Sequence, residues 1–197
     1  MINTDLLIAW GAAYKKVKAG EIIFKEGNKA HFYHQLENGS IKWVNIDDLG
    51  VEFIHNLITP GESFGEIPLF DEEPYAATAI AEKDSIILRL HESSFHQLIK
   101  ENSEILFSLT KLMAQRLRYK FLITKEMTSQ NPEHRITTLI SHFKKDNLHI
   151  CNDFNQLRLT RQQLASMTGM RVETVIRTMR SMHEKGKLKI EKGRVFC

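Results

Sequence analysis

Residues 160–180, TRQQLASMTGMRVETVIRTMR, lie in the most basic part of the chain yet keep one carboxylate, Glu173, among arginines. Thr160 with Gln163 three residues on has the pattern of a capping box, in which side chain and backbone satisfy one another at a helix start. Ala165 is small, Gly169 supplies a turn, and Val175 follows in the next segment. This spacing predicts two helices that cross at a small side chain, join through a glycine turn and bury an aliphatic in the second: a helix-turn-helix.

In that second helix Val175, Met179 and Met182 recur at i, i+4, i+7 and are expected inside. Glu173, Arg177 and Arg180 recur on the opposite side, flanked by Val172 and Ile176. In the major groove of double-stranded DNA an arginine donates two hydrogen bonds to guanine, and a carboxylate accepts one from cytosine. Phosphate contacts fix register, and a carboxylate repels phosphate. Glu173 is therefore read as a group that specifies a base.

Charge supports a polyanion partner at this end only. The chain has 197 residues, is 42% hydrophobic and carries a net charge of +3. Residues 157–197 hold ten Lys and Arg against three Asp and Glu, whereas residues 1–156 hold 17 against 21. The last stretch, LKIEKGRVFC, reads as two short strands around Lys192-Gly193, the wing of a winged helix-turn-helix. Lys187 and Arg194 are read as phosphate contacts near it.

The remainder excludes several classes. No run of about 18 apolar residues is present, so no membrane span or membrane partner is expected. The opening MINTDLLIAWGAAYKKVKAG lacks the basic head, apolar core and cleavage site of a secretory signal. Two cysteines, Cys151 and Cys197, form neither a disulfide framework nor a metal-ligand pattern. The expected compartment is a reducing cytoplasm, with no cofactor.

From Tyr14 to His91, the runs EIIF, HFYHQLE, SIKWVNI, VEFIHNL and SIILRL are separated by glycines, which predicts an antiparallel sandwich or small barrel. His31 and His34 in HFYHQLE are the pair that a metal-binding β-sandwich enzyme would use. Three residues apart on one strand, they are expected on opposite faces, and the chain is read as a non-enzyme. Residues 103–129 contain neither Gly nor Pro, and Leu106, Leu109, Met113, Leu117, Phe121 and Thr124 follow at steps of three or four. A helix there spans about 40 Å, enough to pack one face on its own domain and another on a second copy. Pro132 is read as ending it, and RITTLISHFKK as a further helix.

With these parts assembled, the chain resembles the cyclic AMP receptor protein and FNR superfamily of transcription regulators. The matching stretches are FKEGNKAHFYHQLENGSIKW, ITPGESFGEIPLF, MAQRLR and LTRQQLASMTGMRVETVIRTM, in the family's order. The resemblance implies an α+β fold: an antiparallel β-roll sensor domain over residues 1–101, a dimerisation helix over 102–130 and a winged helix-turn-helix over 131–197. It implies double-stranded DNA, a second copy of the chain and RNA polymerase as partners. The DNA-contacting set is expected to be Thr160, Arg161, Gln162, Arg171, Val172, Glu173, Thr174, Ile176, Arg177 and Arg180. Arg171 stands where the family usually has a capping Ser or Thr, and is either a phosphate contact or an exposed side chain.

FGEIPLFDEEPYAATAIA, residues 64–81, corresponds to the family's phosphate-binding cassette. Gly65 and Glu66 remain, serving either a ribose or simply a turn, and Ile67 and Pro68 follow. Tyr75 and Ala76 replace the Arg-Ser pair that holds a cyclic phosphate, while Lys120 and Phe121 replace two small hydroxyl residues. A buried phosphate needs a cation or several amide donors. Cyclic AMP is therefore not the expected effector, which is unknown; the alternative is that Lys120 restores the cation from the helix side. The iron–sulfur branch needs four cysteines and does not fit, and the nine histidines mark no haem ligand. The alternative function is a small-molecule-binding sensor module in which DNA binding is secondary.

Overall fold

The computed structural model describes residues 2–151 and 154–197. The chain divides into two compact units, Met1–Gln115 and Arg116–Cys197.

The first unit begins with helix α1 (Thr4–Ala9) and continues through strands β1 (Ala13–Val17), β2 (Ile22–Phe24), β3 (Phe32–Asn38), β4 (Ile41–Ile46), β5 (Glu52–Ile58) and β6 (Ser63–Phe64). Helix α2 (Pro68–Asp71) separates these from β7 (Thr78–Ala81) and β8 (Ser85–His91), and α3 (Glu92–Glu101) closes the series. Two four-stranded antiparallel sheets result, ordered β1-β8-β3-β6 and β2-β7-β4-β5. This is the expected β-roll. Side chains alternate across β3, so its two faces have different company. On one face Tyr33 stacks on Phe95 of α3, with ring centroids 4.8 Å apart, and its hydroxyl donates to Gln35 at 2.9 Å. Gln35 in turn donates to the carbonyl of Ile2 at 3.0 Å.

On the other face His34 stacks on Phe64 at 5.3 Å, and Phe24 lies 5.5 Å from the His34 ring. His31 precedes β3 and is exposed, its carbonyl accepting from the amide of Glu92 at 3.0 Å. The two histidines are thus not opposite faces of one strand, because pairing with β8 starts only at Phe32↔His91.

Helix α4 (Ser103–Met127) begins in the first unit and ends in the second. Within the first, Leu109 is buried and Ile105 packs on the core. In the rest of the expected stripe Met113 is half-buried and Leu106, Leu117, Phe121 and Thr124 are exposed, as is the neighbouring Phe107 at 73%. The helix stops two residues earlier than its sequence suggests. The Thr128 hydroxyl donates to the carbonyl of Lys125 at 2.7 Å, and the amide of Ser129 bonds to Glu126, which tightens the last turn.

Pro132 opens α5 (Pro132–Lys145) rather than merely ending the helix before it. It occupies the first turn, where a missing N–H is harmless, and Asn131 caps the amides of Glu133 and His134 at 3.0 and 3.3 Å. Beyond it come β9 (Ile150–Cys151), β10 (Gln156–Leu157), α6 (Arg161–Thr168), α7 (Val172–Glu184), β11 (Lys189–Glu191) and β12 (Arg194–Phe196). The four strands form one antiparallel sheet, β11-β12-β10-β9, with the expected hairpin turning at Lys192-Gly193. No described helix is long and apolar enough to cross a membrane.

His34 gives the first unit an acid sensitivity. Burial, with Arg89 and Lys15 nearby, holds its imidazole down to about 3, so the folded form carries it neutral. Its folded value lies below its unfolded one near 6.5, so its contribution to stability is complete above 6.5 and is lost as pH falls toward 3. We expect denaturant unfolding, followed by the fluorescence of Trp10 and Trp43, to lose up to about 1.4 kcal/mol per pH unit in that window from this one group. His34→Leu should flatten the slope by that amount. Equal slopes in the two proteins would exclude His34 as the source.

Candidate functional site

Two sets of residues were singled out by sequence, and the fold treats them differently. In the first unit Gly65 follows β6 with φ +70°, in the left-handed region. A Cβ added there would lie 2.6 Å from Cε1 and Cζ of Phe24 and 3.1 Å from Cε1 of Tyr75, so glycine is required by space as well as by backbone. The Tyr75 and Phe24 rings are stacked, 3.7 Å between centroids and 6° between planes. Tyr75 is 4% exposed, and burial raises its phenol above the ordinary range. Its backbone is also fixed, with its amide donating to Asn28 and its carbonyl accepting from Gly27 at 3.0 and 2.9 Å.

Glu66 is fully buried, with Ser63 donating to its Oε1 at 3.4 Å. Ile67 is exposed at the N-cap position of α2, and Pro68 is buried in its first turn. Ala76 is exposed, and its carbonyl accepts from Asn45 at 2.9 Å. Lys120 and Phe121 belong to the second unit. Burial lowers the Lys120 ammonium to about 8, whereas Phe121 is exposed. Ring contact therefore joins Tyr75 to Gly65 and to Phe24, a residue that sequence reading left among ordinary strand hydrophobics. No local motif marks Phe24, because its partner arrives from a segment about 50 residues later.

In the second unit the helix pair forms as its spacing indicates. Thr160 and Gln163 make the reciprocal capping box, with Gln163 N–H donating to the Thr160 hydroxyl at 3.1 Å and Thr160 N–H to Gln163 at 2.7 Å. Gly169 ends α6 in the left-handed conformation at φ 64°. Leu164, Ala165 and Met167 of α6 are buried, as are Val175, Met179 and Met182 of α7.

That burial turns Glu173, Ile176, Arg177 and Arg180 outward, with Val172 and Thr174 half-buried beside them. Glu173 and Arg177 are one turn apart, a spacing at which ion pairs form on a helix. Yet Arg171, Glu173, Arg177 and Arg180 have no side-chain partner among the described residues. Arg171 stands at the N-cap of α7 without a capping hydrogen bond. Glu173 lies in the first turn, where a negative charge is also favourable to the helix dipole.

Other basic groups are already engaged. Arg161 donates to the carbonyl of Gly193 in the β11–β12 turn at 2.8 Å, while Gln162 is exposed. Lys185 lies 2.8 Å from Glu133, and Lys187 pairs with the other oxygen of the same carboxylate. The two ammonium groups hold the Glu133 carboxyl down to about 2. Lys187, read from sequence as a phosphate contact, is thus engaged by a carboxylate here, and only Arg194 of that pair is unengaged among the described residues.

Comparison with known proteins accords with both units. Residues 14–102 match the cyclic nucleotide-binding domain and residues 134–196 the Crp-like helix-turn-helix domain. The cyclic AMP receptor protein of Thermus thermophilus is 27% identical over 176 residues, covering 89% of this chain and 79% of its own. The cAMP-activated global transcriptional regulator CRP of Salmonella typhimurium is 25% identical over 187 residues, 92% of this chain and 89% of its own. In fold, the c-di-GMP responsive global regulator CLP of Xanthomonas campestris superposes with a TM-score of 0.78 at 18% identity, covering 98% of each chain. These relatives are transcription regulators rather than enzymes. With both domain types present in order and the expected fold around them, this chain belongs to the CRP/FNR family of DNA-binding transcription regulators.

Proposed function

We propose that the protein acts as a homodimer, reads a palindromic DNA site through α7, and does so without cyclic AMP. The observation that carries the DNA reading is the outer face of α7, where Glu173, Arg177 and Arg180 stand exposed and unpartnered among the described residues. Arg177 suits guanine, Glu173 suits the amino group of cytosine, and Arg171 suits phosphate. Residues 1–101 serve as sensor, 102–130 as dimerisation helix and 131–197 as DNA-binding domain. The apolar side chains of Leu106, Phe107, Leu117 and Phe121, open along α4, suit a second copy of the helix. RNA polymerase as partner and the cytoplasm as location belong to the same reading.

The case against cyclic AMP rests on Tyr75. Its ring is stacked on Phe24 and its position supplies no charge. An anion buried there would lack its cation, and one charge-assisted hydrogen bond alone contributes about 1.5–3 kcal/mol. A ligand shifts a conformational equilibrium only by its differential affinity for the two states. A nucleotide that barely binds therefore switches nothing.

Selection from random DNA should yield a two-fold palindrome with half-sites about one helical turn apart. An asymmetric single half-site would count against the dimer. Glu173→Ala should relax selection at one base pair by about 1–3 kcal/mol, and Arg177→Ala should remove a guanine preference. Equal weakening of every sequence by Glu173→Ala would refute the base-reading role. Arg194→Ala, by contrast, should weaken all sequences alike and make binding less salt-dependent. Calorimetric titration with cyclic AMP and cyclic GMP should show no micromolar binding, and DNA affinity should not change. Tight binding that also strengthens the DNA complex would overturn the effector reading.

A further inference from the structure

We propose that Arg135 is a positioning residue that fixes the recognition helix to the end of α4. The inference rests on the dimeric reading given above. Arg135 sits in the first turns of α5, and its guanidinium is spent entirely on backbone carbonyls. Its Nε donates to Ser129 at 2.8 Å, Nη2 to Met127 at 2.7 Å and Nη1 to Thr168 at 3.2 Å. Met127 is the last residue of α4, Ser129 lies in the linker to α5, and Thr168 is the last residue of α6. Carbonyls at helix C-termini have no partner within their own helix. One planar fork with five donors answers two of these acceptors and the linker carbonyl of Ser129 at once, a geometry that a lysine ammonium does not reproduce.

Two further contacts lie at the same junction. Glu126, buried near the end of α4, meets Nε2 of His134 at 3.0 Å. A Cβ built on Gly169 would come 3.3 Å from the Met127 methyl, so the Met127 side chain lies against the helix-turn-helix turn. The end of α4 is therefore held both to the start of α5 and to the turn that launches α7. Only Gly169, Met170 and Arg171 separate Thr168 from the first residue of α7. Holding the Thr168 carbonyl thus fixes where α7 begins relative to α4. Without that tie, the four linker residues 128–131 are free to rotate.

The consequence concerns spacing, not base contact. A dimer gains affinity for two half-sites because the second engagement is intramolecular, and it loses that gain when geometry forbids both at once. Arg135 makes no contact with the outer face of α7, so its loss should leave a single half-site read as before.

The test uses the full chain as wild type, Arg135→Lys and Arg135→Met. Each is titrated on the selected palindrome, on a single half-site, and on palindromes lengthened or shortened by one or two base pairs. Thermal unfolding by circular dichroism and sedimentation run in parallel. Both variants should keep half-site affinity within about threefold while losing about tenfold or more on the palindrome, with the spacing preference flattened. Proportional loss on both DNAs, an unaltered spacing preference, or absence of a cooperative unfolding transition in both variants would overturn the positioning role. A monomeric wild type, or one indifferent to the second half-site, would instead remove the dimeric reading and this inference with it.

Discussion

Burial of Val175, Met179 and Met182 is the constraint on which the surface of the second unit depends. Each such side chain contributes roughly 1.5–3 kcal/mol when fully withdrawn from water, far more than any exposed charge can oppose. Once those three face inward, helical geometry leaves Glu173, Arg177 and Arg180 nowhere to go but out. Exposure of that face is therefore a by-product of packing on the other. The Thr160–Gln163 box and the left-handed Gly169 then set where α6 starts and stops, and so where α7 emerges.

The first unit applies the same physics to a different end. Phe24 sits between Phe64 and Tyr75, with centroids 6.0 and 3.7 Å away, and Gly65 has no side chain because those rings leave it no room. Around Gly65 the neighbourhood is filled by the protein's own rings, Phe24 and Tyr75. The glycine and the stack are mutually dependent, and neither needs a ligand to explain it.

How much of this was legible in the sequence follows from the range of the forces involved. The capping box, the turn glycine and the i, i+4, i+7 burial of α7 are local, and they stood where their spacing put them. Helix α4 was visible through the absence of Gly and Pro, but its end was not, since hydroxyl and guanidinium partners at Lys125, Met127 and Ser129 decide it. Pro132 showed as a breaker and not as the opening of α5, because the two readings differ only in what Asn131 caps. Strands β9 and β10, two residues each, are too short to show a period, and the alanines of β7 carry no strand signature. The Phe24–Tyr75 stack and the three bonds of Arg135 join distant segments, and such pairings have no imprint in spacing.

Charge shows the same difference between composition and structure. Ten basic residues against three acidic ones over residues 157–197 announced a polyanion partner, but the fold does not leave all ten available. Lys185 and Lys187 are held by Glu133, Lys189 lies 2.6 Å from Glu191, and Arg161 is tied to the carbonyl of Gly193. Arg158, Arg171, Arg177, Arg180, Lys192 and Arg194 have no side-chain partner among the described residues. Affinity for duplex DNA changes with salt in proportion to the phosphates neutralised, with a slope of about 0.9 per contact. The free cations, not the charge count, therefore set the electrostatic reach of this unit. The engaged ones do structural work in its absence: Arg161 holds the wing to α6, and the two lysines hold the start of β11 to α5. A basic tail is in this way divided between charges that build the DNA-binding unit and charges left over to use it.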